Sequence, residues 1–153
     1  MTKMKKERYL QELQRDEAFH ARVYAKLLER SYSGRYGSTL KKLRDLEVKH
    51  AQQLEHLLEY DGIPMLPPDR RIAETIERIS SRIFGVTFAI KFMEYNKLVV
   101  NRKLQEGLRK FSFTAKEKEV LNKLSKEEEI EDKLISPRNT QPHQIQREAI
   151  LSQ

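Results

Sequence analysis

The stretch LKKLRDLEVKHAQQLEHLLEY, residues 40–60, decides how this chain folds. Leu40, Leu43, Leu54 and Leu57 recur at the three-and-four spacing of one buried helix stripe. Glu47 and His50 stand on the same stripe at mid-length, where leucine is expected. An ionised carboxylate on a buried face is costly unless it is paired or holds a metal. Ser38 or Thr39 supplies a cap before this helix, and Asp61-Gly62-Ile63-Pro64 stops it.

Working outward, three further stripes have the same form. A helix over residues 4–32 carries Leu10, Leu13, Glu17, Tyr24 and Leu27. A long helix from Gly85 to about Lys110 continues a stripe of Ile83, Val86, Ile90, Glu94, Asn101, Leu104 and Leu108. A last helix starts at Thr114, where Glu117 completes a capping box, and ends near Ile135; its stripe is Val120, Leu124, Glu127 and Leu134. No strand-like alternation of useful length is present. Each helix thus carries a carboxylate near mid-length, and four such helices imply one shared polar centre. Metal ions in a bundle core are the usual solution, which makes Glu17, Glu47, His50, Glu94 and Glu127 the candidate ligands.

The connections are unequal. Short turns join the first and the last pair of helices, so each pair is an antiparallel hairpin. Between the hairpins, Asp61 to Gly85 is long enough to run back along the bundle and holds a short helix over 70–84, which Asp69 could cap. The expected fold is therefore all-α, a ferritin-like four-helix bundle over residues 1–135 with a polar tail at 136–153. A weak internal repeat accompanies it: Glu17 precedes Glu47-x-x-His50 much as Glu94 precedes Glu127-x-x-Ile130.

At 153 residues the chain has room for one domain with a real core. It has no Cys, which excludes disulfides, thiolate metal sites and a catalytic cysteine. Charged residues make up 35% and mean hydropathy is -0.76, so most of the surface is solvated helix. No apolar run approaches the roughly 20 residues of a membrane span. The basic N-terminus lacks the apolar segment of a signal peptide. The net charge of +7 is spread over every helix and interleaved with acids, without the aromatic-and-basic stripe that binds single strands, so nucleic acid is not the expected partner. The expected location is the cytoplasm.

Four stretches resemble the rubrerythrin branch of the ferritin-like superfamily, and above all the ferritin-like domain that precedes vacuolar-iron-transporter-type membrane domains. They are DEAFHARVYAKL (16–27), LRDLEVKHAQQLEHLLE (43–59), FGVTFAIKFMEYNKL (84–98) and KEEEIEDKLI (126–135). The resemblance implies Glu17, Glu47, His50, Glu94 and Glu127 as ligands, and Tyr24 as a tyrosine near the site. It implies iron, as two ions or one, with manganese or zinc as other occupants, and ferroxidase or peroxidase-type chemistry. The sequence departs from the family pattern twice: Ile130 stands where a His is expected and Lys97 where a second carboxylate is common. An ammonium at 97 could replace one ion electrostatically. Without Cys there is no rubredoxin-type donor, so electrons for peroxide reduction would come from another protein. The segment QREAIL at 146–151 looks like the lead into a membrane iron-transporter domain, which would place the bundle on the cytoplasmic face.

Bland readings stand beside these. Glu94 and Lys97 could form a surface pair, and Glu127-Glu128-Glu129 could be a solvated acidic face. His20, Glu55, His56 and His143 read as surface residues, and Tyr24 as core. The alternative to metal binding is a metal-free interaction or dimerisation bundle whose buried carboxylates are satisfied by Lys97. A homodimer is expected in either case, through Phe88, Phe92, Val99 and Val100 beyond the narrow stripe of the third long helix.

Overall fold

Four α-helices make up the regular structure of the computed structural model, which describes residues 2–29, 37–69, 71 and 85–135. They are α1 (Thr2–Glu29), α2 (Gly37–Tyr60), α3 (Gly85–Lys110) and α4 (Ala115–Ile135). Among the described residues there is no strand, and no helix is long and apolar enough to cross a membrane. The fold is an all-α bundle. The short helix expected over 70–84 and the tail at 136–153 lie outside the described residues, as do the side chains of Glu94, Phe88 and Phe92.

Local chemistry sets the helix ends. At the end of α2 the Ile63 N–H donates to the Leu58 carbonyl at 2.8 Å and the Gly62 N–H to the Glu59 carbonyl at 3.1 Å. Gly62 supplies the left-handed φ of 66° that this cap requires, and Ile63 packs on the cluster that contains Leu58. At the start of α4 the Thr114 N–H donates to Glu117 Oε2 at 2.8 Å while the Glu117 N–H donates to Thr114 Oγ1 at 3.2 Å, a reciprocal capping box.

Three links show how the helices run. Lys6 Nζ donates to Glu117 at 3.0 Å, Gln11 Nε2 to the Pro64 carbonyl at 2.6 Å, and the Tyr9 hydroxyl to the Lys103 carbonyl at 3.3 Å. The start of α1, the end of α2, the end of α3 and the start of α4 therefore share one end of the bundle. So α2 and α3 point the same way: the chain leaves α2 at that end and begins α3 at the other. α1 packs on α2 and α3, and α4 packs on the same two, so every packed neighbour is antiparallel.

The shared end is apolar. Leu10, Leu13, Leu54, Leu57, Leu58, Leu104, Leu121 and Leu124 are all within 1% of full burial and form one cluster with Tyr9 and Phe113. Each buried leucine here contributes about 1.5–3 kcal/mol of hydrophobic stabilisation. Gly107 lets α3 approach α1 here, because a Cβ at 107 would overlap the Tyr9 ring.

The interior stripes of α1 and α2 are the expected ones. Those of α3 and α4 differ. On α4 the buried residues are Glu117, Leu121, Leu124, Ser125 and Glu128, with Val120 and Glu127 half-buried beside them. On α3 they are Lys97, Val100, Leu104 and Gly107, with Asn101 and Leu108 half-buried. Val100, assigned from sequence to an outer dimer face, is therefore interior.

Candidate metal centre

Above the leucine cluster lies a polar layer to which every helix contributes. α1 brings Glu17, α2 brings Glu47 and His50, α3 brings Lys97 and α4 brings Glu128; none is more than 2% exposed. One ligand atom from each of Glu17, Glu47, His50 and Glu128 lies within 4.8 Å of the other three.

The ammonium of Lys97 sits between two helices' carboxylates. It donates to Glu47 Oε1 and lies 3.2 Å from Glu128 Oε2. On the other side of the layer, His50 Nε2 is 2.8 Å from Glu127 Oε2, and Glu127 also accepts from Lys49 Nζ at 2.8 Å. His50 Nδ1 faces inward, 3.3 Å from Glu128 Oε1 and 3.8 Å from Glu17 Oε2. Neither Nδ1 nor that Glu17 oxygen makes a well-aligned hydrogen bond among the described residues.

Charge in this layer is settled by neighbours rather than by solvent. Burial alone would push the Glu17 carboxyl up; its close contacts with Glu47 and His50 and the charge of Lys97 outweigh it and hold the group well below the usual range. Burial likewise pushes the His50 imidazole down, but its contacts with Glu128 and Glu17 raise it from 6.5 to about 10. His50 is thus an imidazolium at neutral pH. Three buried carboxyl groups, Glu17, Glu47 and Glu128, thus face two cationic side chains, His50 and Lys97. Glu127, at the rim, is lowered against its burial by its hydrogen bonds to Lys49 and His50.

Set against the sequence reading, Glu17, Glu47 and His50 converge. Glu128 converges with them, in the place where Glu127 was expected; Glu127 instead contacts the outer nitrogen of His50. Glu94 lies on the α3 backbone with its side chain outside the described residues. Ile130 is 56% exposed, so position 130 faces water and no ligand is lost there. Lys97 is interior, not the surface partner of Glu94. His20, expected on the surface, is buried, as is Tyr24.

The donor set fits a single ion. Ligand bonds of about 2.0–2.2 Å place two donors on one ion roughly 3–4 Å apart, which includes the 3.8 Å between His50 Nδ1 and Glu17 Oε2. A metal-binding His usually gives its other ring nitrogen to a carboxylate, which is the position of Glu127. Two ions do not fit as well, since the Lys97 ammonium already lies between Glu47 and Glu128. No protein-family model, curated protein or solved structure matches the chain.

Proposed function

We propose that this chain is a ferritin-like bundle that binds one divalent transition-metal ion for iron handling, through Glu17, Glu47, His50 and Glu128. The observation that carries the reading is the convergence of these four side chains from three helices in a buried layer. Mixed carboxylate and imidazole donors suit iron or manganese, and zinc can occupy such sites. The likeness of the four quoted stretches to the rubrerythrin branch, and the parallel course of α2 and α3, support the ferritin-like part.

Charge supports a count of one. If the layer gives up the His50 proton, three carboxylates and one ammonium carry two negative charges, which one divalent ion neutralises. Proton release on binding is the expected consequence. In this reading Glu127 orients His50, Lys97 holds Glu47 and Glu128 in place, and the leucine end keeps water from the layer's underside. Bound iron would supply one-electron redox chemistry. A single ion suits ferrous capture, sensing or delivery better than two-electron peroxide reduction, which also needs an outside donor.

The link from Lys97 to Glu47 and Glu128 favours a second reading: a lysine has taken the metal's place and the bundle is a metal-free interaction module. Titration with ferrous or manganous ion under anaerobic conditions separates the two. The metal reading expects one ion per chain, loss of binding in Glu47→Gln and His50→Ala, and a fall of about 10–100-fold in Glu127→Gln. Binding unchanged in His50→Ala would refute it, and no binding by the parent would establish the metal-free alternative.

A further inference from the structure

A cavity of about 310 Å³ opens between α1 and α3 beside the polar layer. Asp16 and His20 line it from α1, Asn96 and Val100 from α3, and Asp69 and Arg71 from the segment after α2. Its inner wall adjoins the candidate centre. His20 is one helical turn from Glu17, and Asn96 directly precedes Lys97. His20 is only 6% exposed, and its Nδ1 has no hydrogen-bond partner among the described residues. The edge of Phe19 packs against the ring, with centroids 5.8 Å apart. Burial holds the imidazole below its ordinary value, against the pull of Glu17.

The charges lining this cavity set it apart from its neighbours. Among the described residues that line it, two carboxylates, Asp16 and Asp69, stand against one guanidinium, Arg71. The larger cavity by Tyr9 is lined by Lys5, Arg8, Lys103 and Lys110 against Glu12 and Glu106, two units positive. A third, near Met65, balances Arg15 and Arg22 against Glu55 and Asp69. Asp16 and Asp69 are already paired, with Lys103 at 2.7 Å and Arg71 at 2.6 Å. Both partners are long, flexible side chains, and that of Arg71 is mostly exposed.

We propose that this cavity is the port through which a divalent cation reaches the polar layer, with His20 as the transfer ligand on its inner wall. The proposal rests on the single-ion reading above. Asp16 and Asp69 draw the ion into the mouth, His20 Nδ1 takes it as water is shed, and Glu17, one turn further along α1, receives it. His20 is not one of the converged ligands, so it governs the rate of passage and leaves the final affinity to Glu17, Glu47, His50 and Glu128.

Manganous ion alone is the probe. Stopped-flow competition with a chelating dye gives uptake and release rates, and equilibrium titration gives affinity. In His20→Ala both uptake and release should slow by about tenfold or more while affinity stays within about threefold of the parent. His20→Gln, which keeps a ligating oxygen, should recover part of the rate, and circular dichroism confirms that both variants fold. Asp16→Asn should slow uptake by a smaller factor through lost attraction. Parent-like rates in both His20 variants, with parent affinity, would overturn the port and leave the site standing. Lost affinity at an unchanged uptake rate would make His20 a resident ligand and overturn it too. No binding by the parent, or parent-like binding by His50→Ala, would overturn the site and the port together.

Discussion

The leucine end of the bundle and the polar layer above it are built on the same helices with opposite chemistry. At the leucine end, the leucines are satisfied by contact alone, and each can be exchanged for a side chain of similar volume at modest cost. In the layer, each interior group depends on particular partners on other helices: Lys97 on Glu47 and Glu128, and His50 on Glu127, Glu128 and Glu17. The comparison teaches where stability and function separate. A buried charge network seldom stabilises a fold better than leucines would, but losing one member of it is severe. The layer is therefore the place where a cation, whether lysine or metal, has consequences.

The largest effect should come from Lys97→Met. It leaves Glu47 and Glu128 facing each other without their ammonium, and urea unfolding of the metal-free protein should show a loss of about 3–5 kcal/mol. Saturating manganous ion should restore much of that loss by mass action, because a cation then occupies the layer. A loss under about 1 kcal/mol would mean that the two carboxylates are relieved some other way, and the contrast between the regions would collapse.

Leu121→Ala tests the other side of the contrast. Removing a fully buried leucine from the apolar cluster should cost about 2–5 kcal/mol. Manganous ion should add as much stability to this variant as to the parent, since the two regions share no polar partner. If Leu121→Ala also abolished ion-dependent stabilisation, the leucine end would be shaping the site and not merely supporting it.

The two regions were not equally legible in the sequence. The leucines of α1 and α2 have one consistent stripe, so Glu17, Glu47 and His50 could be placed on the interior from spacing alone. α4 offers two stripes through Leu124. One passes through Val120 to Glu127 and the other through Leu121 to Glu128; the second is the interior one. Leu121 and the capping residue Glu117 on the same face are the signal for it. Lys97 shares a face with Val100, Leu104 and Gly107, and the sequence admits both an interior ammonium and a solvated one, because lysine is seldom buried. Its partners lie 50 and 31 residues away, beyond any local pattern. His20 could have been found, since it falls on the α1 stripe between Glu17 and Tyr24. The shared end of the four helices was legible through the stop at Gly62 and the box at Thr114, because both signals are local.

The smallest effect per step, and the sharpest in form, is the pH dependence of the layer. His50 is raised from 6.5 to about 10 in the folded protein, so its contribution to stability is fully present below about 6.5 and is lost as pH climbs through 10. Over that window the metal-free protein should lose up to about 1.4 kcal/mol per pH unit from this residue. Glu17 acts in the opposite sense: its lowered carboxyl contributes stability above its ordinary 4.5 and loses it as the solution is made more acidic. The two together predict a stability maximum between mild acid and neutrality. His50→Gln keeps a polar side chain without a proton to lose, and should flatten the alkaline limb while leaving the acid limb in place. Leu121→Ala should lower the whole curve without changing its shape, because nothing in the leucine cluster titrates over that range. Urea midpoints measured from about pH 2 to 10 on the three proteins would show this. An alkaline limb that persists in His50→Gln would mean that His50 is not the proton-bearing cation of the layer, and the charge balance argued for a single divalent ion would have to be abandoned.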